Sequence, residues 1–338
     1  MTQREITKPT LLLNEKGNLL QPGYAKEMLY LYNREWAAGR PFGLKEWDFY
    51  QLALGEWVLQ MTIGHVSYMA NFSANLFSLK TGERHSFSRM RPLPMRKMDM
   101  PLHPNRPNRL SAKGKGFSIS FDTEETCRTL RLKAENGSGS VDIEMTLSHR
   151  PGDEAMVIAT PFEKPGQFYL NCKEHFYGVT GHVRFGNLTV EAHGEETALL
   201  DWGRGVWPFH QEWFWGCGTG QTDGGRFGFN IGWGFGKLEH ATENMFFWNG
   251  KAYKLGAILA ERGENDYMAP WHFTSDGGNF DLTMTPVFDN DTKTKFAFVN
   301  NRCHQVFGKF NGSVVLPDGE TIRLENLLAF CEHAVNNW

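Results

Sequence analysis

The chain has 338 residues and a formal net charge of −3, from 35 Lys and Arg against 38 Asp and Glu. That length suggests about two domains, and 41% hydrophobic with 22% charged residues argues against disorder. The even charge balance argues against nucleic acid as the partner. Aromatics reach 14% and glycines number 36. Together they suit strongly curved β-sheet, with either an aromatic core or an aromatic-lined ligand cavity.

The first residues contain no apolar stretch of signal-peptide length, and no run approaches the ~18 apolar residues of a membrane-spanning helix. No integral membrane segment is expected. Residues 23–38 are the only helical candidate near the start, and Met28, Leu29 and Leu31 make a poor stripe. From residue 47 the character is strand, up to a turn at Lys80-Thr81-Gly82-Glu83. Residues 90–109 then form an irregular tract rich in Pro and Arg, including Arg89, Arg91, Arg96, Arg106 and Arg109. It reads as a surface crossover, or as a lid or basic rim for an acidic ligand.

Hairpin signals follow in series. Residues 130–135 face 141–145 across Asn136-Gly137-Ser138-Gly139-Ser140, and 181–185 face 188–192 across Gly186-Asn187. Gly224-Gly225, Asn249-Gly250, Asn311-Gly312 and Asp318-Gly319 are further turn candidates. Repeated hairpins with almost no helical pattern make the chain all-β. Breakers at Thr160-Pro161 and Pro165-Gly166 place a domain division near 159–178, so the expected domains are 1–170, with an irregular N-terminal segment, and 171–338.

The five cysteines, Cys127, Cys172, Cys217, Cys303 and Cys331, are odd in number and form no Cys-x-x-Cys pair. They read as reduced thiols in a cytoplasmic protein, with no metal site. Gly-x-Ser-x-Gly, His-Glu-x-x-His and phosphate-loop patterns do not occur, and Gly216-Cys217-Gly218 lacks dinucleotide-binding spacing.

Residues 199–216 form the tract that carries chemistry. Asp201 and Arg204 flank Gly203, close enough to pair across a Gly-containing turn. The following strand puts Trp213 and Trp215 on one face and Glu212 and Phe214 on the other. An aspartate beside an aromatic wall gains proton affinity, while an adjacent arginine keeps it ionised. The pair is therefore either an acid–base device or a brace for the turn. Residues 240–248 read as an aromatic strand in which Glu243 is out of phase with His240, Thr242 and Asn244. Glu243 is expected on the solvated face, or else as a second acid. His304, in Arg302-Cys303-His304-Gln305, is open between core and ligand contact.

The tract resembles the two-domain lipocalin-like family that includes carotenoid 1,2-hydratase (hydroxyneurosporene synthase), the AttH-like proteins and, more distantly, tocopherol cyclase. The resemblance rests on a Gly-led hairpin from Gly181, a Leu199-Leu200-Asp201 tract, the Trp213-Phe214-Trp215 strand and an Asp223-Gly224 turn, over residues 176–236. The sequence departs from that family at Trp202-Gly203, where it often has His or Arg followed by Glu, and at Phe214, where it tends to have a polar residue. Asp201-Trp202-Gly203-Arg204-Gly205 with Trp207-Pro208 is more similar to a bacterial branch known only as a domain of unknown function.

The resemblance implies two consecutive lipocalin-like antiparallel barrels. It also implies chemistry without a cofactor on a C=C bond of a hydrophobic unsaturated small molecule: a hydratase (lyase), cyclase or isomerase. Asp201, Arg204 and Glu243 are the expected catalytic groups. Trp202, Trp207, Trp213, Trp215, His240, Asn244 and His304 are the expected ligand contacts. The alternative is a barrel that only binds a lipid- or isoprenoid-like ligand. Carbohydrate chemistry, with Asp201 and Glu243 as paired carboxyls, is a third reading. The oligomeric state is left open.

Overall fold

The computed structural model describes residues 3–39, 42–94, 98–136, 139–264, 266–296 and 299–338. Short runs between turn residues become strands: β1 (Thr10–Leu11), β2 (Gly23–Ala25), β3 (Tyr30–Leu31), β4 (Leu44–Leu54), β5 (Trp57–His65), β6 (Met69–Ser78), β7 (Arg84–Pro92), β8 (Asn108–Gly114), β9 (Phe117–Thr123), β10 (Cys127–Asn136), β11 (Gly139–Ser148) and β12 (Met156–Pro161). They continue as β13 (Phe168–Phe185), β14 (Leu188–Val206), β15 (His210–Thr222), β16 (Gly225–Trp233), β17 (Met245–Trp248), β18 (Lys251–Lys254), β19 (Ile258–Glu261), β20 (Trp271–Ser275), β21 (Phe280–Phe296), β22 (Val299–Val315) and β23 (Thr321–Asn337). The helical piece among the described residues is a 3₁₀ turn, Trp36–Gly39. The helical candidate over 23–38, whose stripe was poor, does not form an α-helix. Without a 3.6-residue apolar stripe, Gly23–Ala25 instead extends as a buried strand against β12.

A twelve-stranded sheet runs β7-β6-β5-β4-β14-β13-β11-β10-β9-β8, with β12 on β13 and β2 on β12. Its outer strands are joined by Arg91, which donates to the Lys113 carbonyl at 3.1 Å. A nine-stranded sheet runs β18-β17-β16-β15-β23-β22-β21-β20-β19, and β1 pairs with β3 separately. Each large sheet curls around its own apolar filling, one centred on Trp202 and Tyr50, the other on Trp271 and Phe310. The protein is all-β, with two consecutive lipocalin-like barrels. No helix among the described residues is long and apolar enough to cross a membrane.

Sheet membership changes at residues 207–209, whereas a division at 170/171 falls inside β13. The breakers near 160–166 only join β12 to β13. Most hairpins form as the turn residues require. Asn249 and Gly250 both have positive φ, 50° and 85°, as a type I′ turn demands. Phe185 pairs with Leu188 around Gly186-Asn187, and β10 pairs with β11 from Cys127↔Ser148 to Asn136↔Gly139. The tip residues Gly137 and Ser138, like Arg96, lie outside the described residues.

Two turn assignments are corrected. Asn311-Gly312 lies within β22, at a bulge, because Gly312 (φ 139°) permits the partner backbone to approach; a Cβ there would sit 2.2 Å from the Asp281 carbonyl oxygen. The tract around Asp201 and Arg204 is also no turn. It is continuous strand, part of β14.

The Pro-rich tract is neither a surface crossover nor a basic rim throughout. Met98 and Met100 are buried, and its carbonyls serve buried arginines. Pro101 accepts from Arg204, Pro104 from Arg128 and Met100 from Arg34. Met98 and Met100 join the apolar filling of the first barrel.

Candidate active site at the seam between the barrels

Strand alternation decides where the candidate residues point. On β14, Trp202 and Arg204 turn into the first barrel, while Asp201 and Gly203 turn outward. The expected Asp201–Arg204 pair therefore cannot form. Arg204 is fully buried, with its guanidinium 3.9 Å from the centre of the Trp202 ring. It donates to Asp48 Oδ1 at 2.8 Å and lies 3.5 Å from Glu46, which also meets Arg34 and His65. Burial works against ionisation of Glu46, but His65, Arg204 and Arg34 hold its pKa low. This is a satisfied structural charge network. Trp202 belongs to it and to the first core.

The outward face of β14 meets the outer face of the second sheet, and two mixed apolar clusters line the seam. One joins Tyr169, Phe176 and Trp207 to Phe247, Met245 and Phe235. The other joins Val58, Phe77 and Leu199 to Trp215, Phe307 and Phe330. Asp201 sits between them. Its Oδ1 accepts from Asn171 Nδ2 at 2.6 Å, and Trp47 donates to it as well. Gly203 is required here, since a Cβ would fall 2.2 Å from the Trp47 indole. Lys173, the register partner of Asp201, is buried and places its ammonium 4.3 Å from the Trp215 ring centre.

Glu243 does not face solvent. It precedes β17 and turns inward to Lys173 at 2.5 Å and to Asn230 Nδ2 at 3.0 Å. Gly232 leaves the room it needs, for a Cβ there would sit 2.2 Å from Glu243 Oε1. The sequence suggested a solvated position because a lone Glu in an aromatic run carries no sign of a buried lysine far away in the chain. Asn230 also accepts from Trp215 Nε1 at 2.7 Å. Trp213 Nε1 donates to Glu332 Oε1 at 3.0 Å.

Four groups on the seam are electrostatically unusual. Burial raises the Asp201 pKa, with Lys173 and Asn171 opposing and Glu243 adding to it. Burial pushes Glu332 up to about 7, against Trp213 and Lys173 and with help from Asp201. Burial alone would lower Lys173, but Glu243 and Asp201 outweigh it and raise its pKa. Burial, then Lys173, bring His175 down to about 3, so that imidazole is neutral. The seam therefore holds a retained cation beside carboxyls with elevated proton affinity, under the indoles of Trp47, Trp213 and Trp215.

The other expected contacts divide. Trp207 packs edge-on to Trp47 with centroids 5.3 Å apart. Asn244 spends both amide ends on backbone, accepting from Gly232 N at 2.7 Å and donating to Gly256 O at 2.8 Å, so it splices a loop. His240 is half-buried in the loop before β17, 3.5 Å from Glu239, away from Asp201. His304 lies on β22 inside the second barrel, against Tyr267 and Asp289. Lys173, Glu332, Asn171, Asn230 and Trp47 were not singled out in the sequence. For all but Trp47 the only signal was a charged or amide side chain within an apolar strand run. A seam cavity of about 30 Å³ lies alongside, lined by Leu199, Cys217, Phe307 and Phe330 among others. It has room for about one water.

The fold defines a protein of two lipocalin-like barrels joined by a polar, tryptophan-walled seam. Residues 3–338 match the model of DUF2804, a domain of unknown function, and the chain belongs to that family. Among solved structures it is similar to a putative AttH from Nitrosomonas europaea, at 12% identity and TM-score 0.52, over 90% of this chain and 96% of that one. It is also similar to kievitone hydratase from Nectria haematococca, at 9% identity and TM-score 0.49, over 88% and 89% of the two chains. No curated protein matches it significantly in sequence.

Proposed function

We propose that this protein is a cofactor-independent acid–base catalyst acting on a C=C bond of a hydrophobic unsaturated small molecule, as a hydratase, cyclase or isomerase. The observation that carries the reading is Asp201: a buried carboxyl with raised proton affinity at the tryptophan-walled seam. A neutral carboxyl can protonate an alkene. The carbocation formed gains roughly 0.5–2 kcal/mol or more from each ring face it meets when desolvated. In the hydratase form a water adds to the cation and gives its proton to Glu332, whose pKa near 7 suits a base at neutral pH. That leaves Asp201 ionised and Glu332 protonated, and return of the proton from Glu332 to Asp201 resets the site, so the net change is addition of water with no redox partner. Glu243 holds Lys173, and Lys173 sets the field on both acids. Arg204 supports β14 from the opposite face. The seam cavity accommodates water only, so a substrate is admitted when the two sheets part.

The test is mass spectrometry of organic extracts from natively purified protein and from an Asp201→Asn variant. The wild type is expected to carry a hydrated or rearranged product and the variant its unsaturated precursor, with turnover down by about 10²–10⁴-fold. The same unchanged apolar molecule in both would leave a binding protein and defeat the catalytic reading.

A further inference from the structure

Strand β15 sends Trp213 and Trp215 to the seam and the intervening Phe214 into the second barrel, with Glu212 on the same strand face but exposed at its end. There Phe214 is in register with His333 of β23, and His333 with His304 of β22. In-register neighbours on one face bring their rings together. Trp233 stacks on Phe214 at 4.9 Å and 7°, and Phe214 on His333 at 4.2 Å and 7°. Tyr267, between β19 and β20, stacks on His304 at 3.9 Å and 6°.

These rings carry a hydrogen-bonded chain. Tyr267 O and His333 Nδ1 are 2.7 Å apart, and so are His333 Nε2 and Glu212 Oε1. An ionised Glu212 only accepts, so Nε2 donates to it and Nδ1 accepts the Tyr267 hydroxyl proton. That is the order base–orienter pairs use to activate a hydroxyl. His304 is fixed separately, with Nδ1 2.7 Å from Asp289 Oδ2 and Nε2 3.7 Å from Asp291. Arg262 lies over Phe214, Tyr267 and Trp271 at 5.0–5.5 Å. Its hydrogen bonds go to the Gly263 and Glu264 carbonyls, and it forms no ion pair with a carboxylate among the described residues. Burial raises the Tyr267 pKa, with Arg262 and Arg302 opposing and Asp289 and Glu212 adding to it.

We infer that this end of the second barrel is a proton-abstracting site for a planar conjugated hydroxy compound, a phenol or enol, with Tyr267 as the base and Arg262 as the cation that holds the anion formed. The ligand O–H proton passes to the Tyr267 oxygen as the Tyr267 proton moves to His333 Nδ1. The products are a bound phenolate or enolate on Arg262 and an imidazolium balanced by Glu212, with no electrons exchanged. This site uses the opposite face of β15 from the seam and stands or fails independently of Asp201.

The test is the visible absorbance of 4-nitrophenol titrated with the full-length protein. Bound to the wild type, its apparent pKa is expected to fall by about one unit, a tenfold gain in the ratio of ionised to neutral probe. The shift is expected to vanish in Arg262→Gln and in Tyr267→Phe. Glu212 is more than half exposed, so Glu212→Gln spares the fold and is expected to shrink the shift. No saturable spectral change at millimolar probe, or an equal shift in all these variants when circular dichroism shows them folded, overturns the assignment.

Discussion

Glu332→Gln is expected to make the protein more stable above about pH 4.5, with the full effect from about pH 7 upward. The Glu332 carboxyl is buried beside Asp201 and moves from an ordinary 4.5 to about 7 in the folded protein. A raised folded pKa means the folded chain binds a proton the unfolded chain has already released. The neutral form therefore carries no penalty below about pH 4.5. The penalty grows between 4.5 and 7 and is complete above 7, where ionising the folded group costs about 3 kcal/mol. Gln keeps the oxygen that accepts from Trp213 Nε1 and has the shape of the neutral acid. Urea midpoints read at about pH 5 and about pH 8.5 should separate the two proteins. The variant should exceed the wild type by less than ~1 kcal/mol at the lower value and by up to ~3 kcal/mol at the higher. A remaining decline in the variant is expected from Asp201, whose pKa is displaced in the same direction. Identical pH profiles for the two proteins would show that Glu332 is not held in the environment described.

Arg204→Met should destabilise the first barrel by about 3–5 kcal/mol, because it leaves Asp48 and Glu46 buried with a cation removed. A loss below about 1 kcal/mol in denaturant titration would mean the network relaxes without it. Gly203→Ala should cost about 1–3 kcal/mol through overpacking, since its Cβ would meet Trp47 at 2.2 Å. Its signature is a changed tryptophan near-ultraviolet spectrum, and an unaltered spectrum and melting temperature would count against that contact.

The sequence spoke clearly wherever the cause is local. Asn249-Gly250 makes a hairpin because two neighbouring residues tolerate positive φ. Period-two alternation alone separated Trp213 and Trp215 from Glu212 and Phe214, and those faces are the seam and the second barrel. The same rule, applied to β14, would have parted Asp201 from Arg204. The glycine between them, Gly203, suggested a turn but serves instead as clearance for an indole that arrives from β4.

Strand periodicity says which residues share a face, and it does not say what that face meets. That Lys173, Glu243 and Glu332 converge on Asp201 depends on β13, the loop before β17 and β23 crossing a seam between sheets. Those partners lie 28 to 131 positions from Asp201 in the chain, so no local pattern joins them. The sheet division at 207–209 also follows from pairing: β13 and β14 stay with the first sheet because β14 is hydrogen-bonded to β4 along Leu44–Leu54. Local sequence thus determined an all-β chain and the two faces of its tryptophan strand. Only tertiary packing decided which carboxyls are buried together, because burial and electrostatic coupling arise from contacts between distant strands.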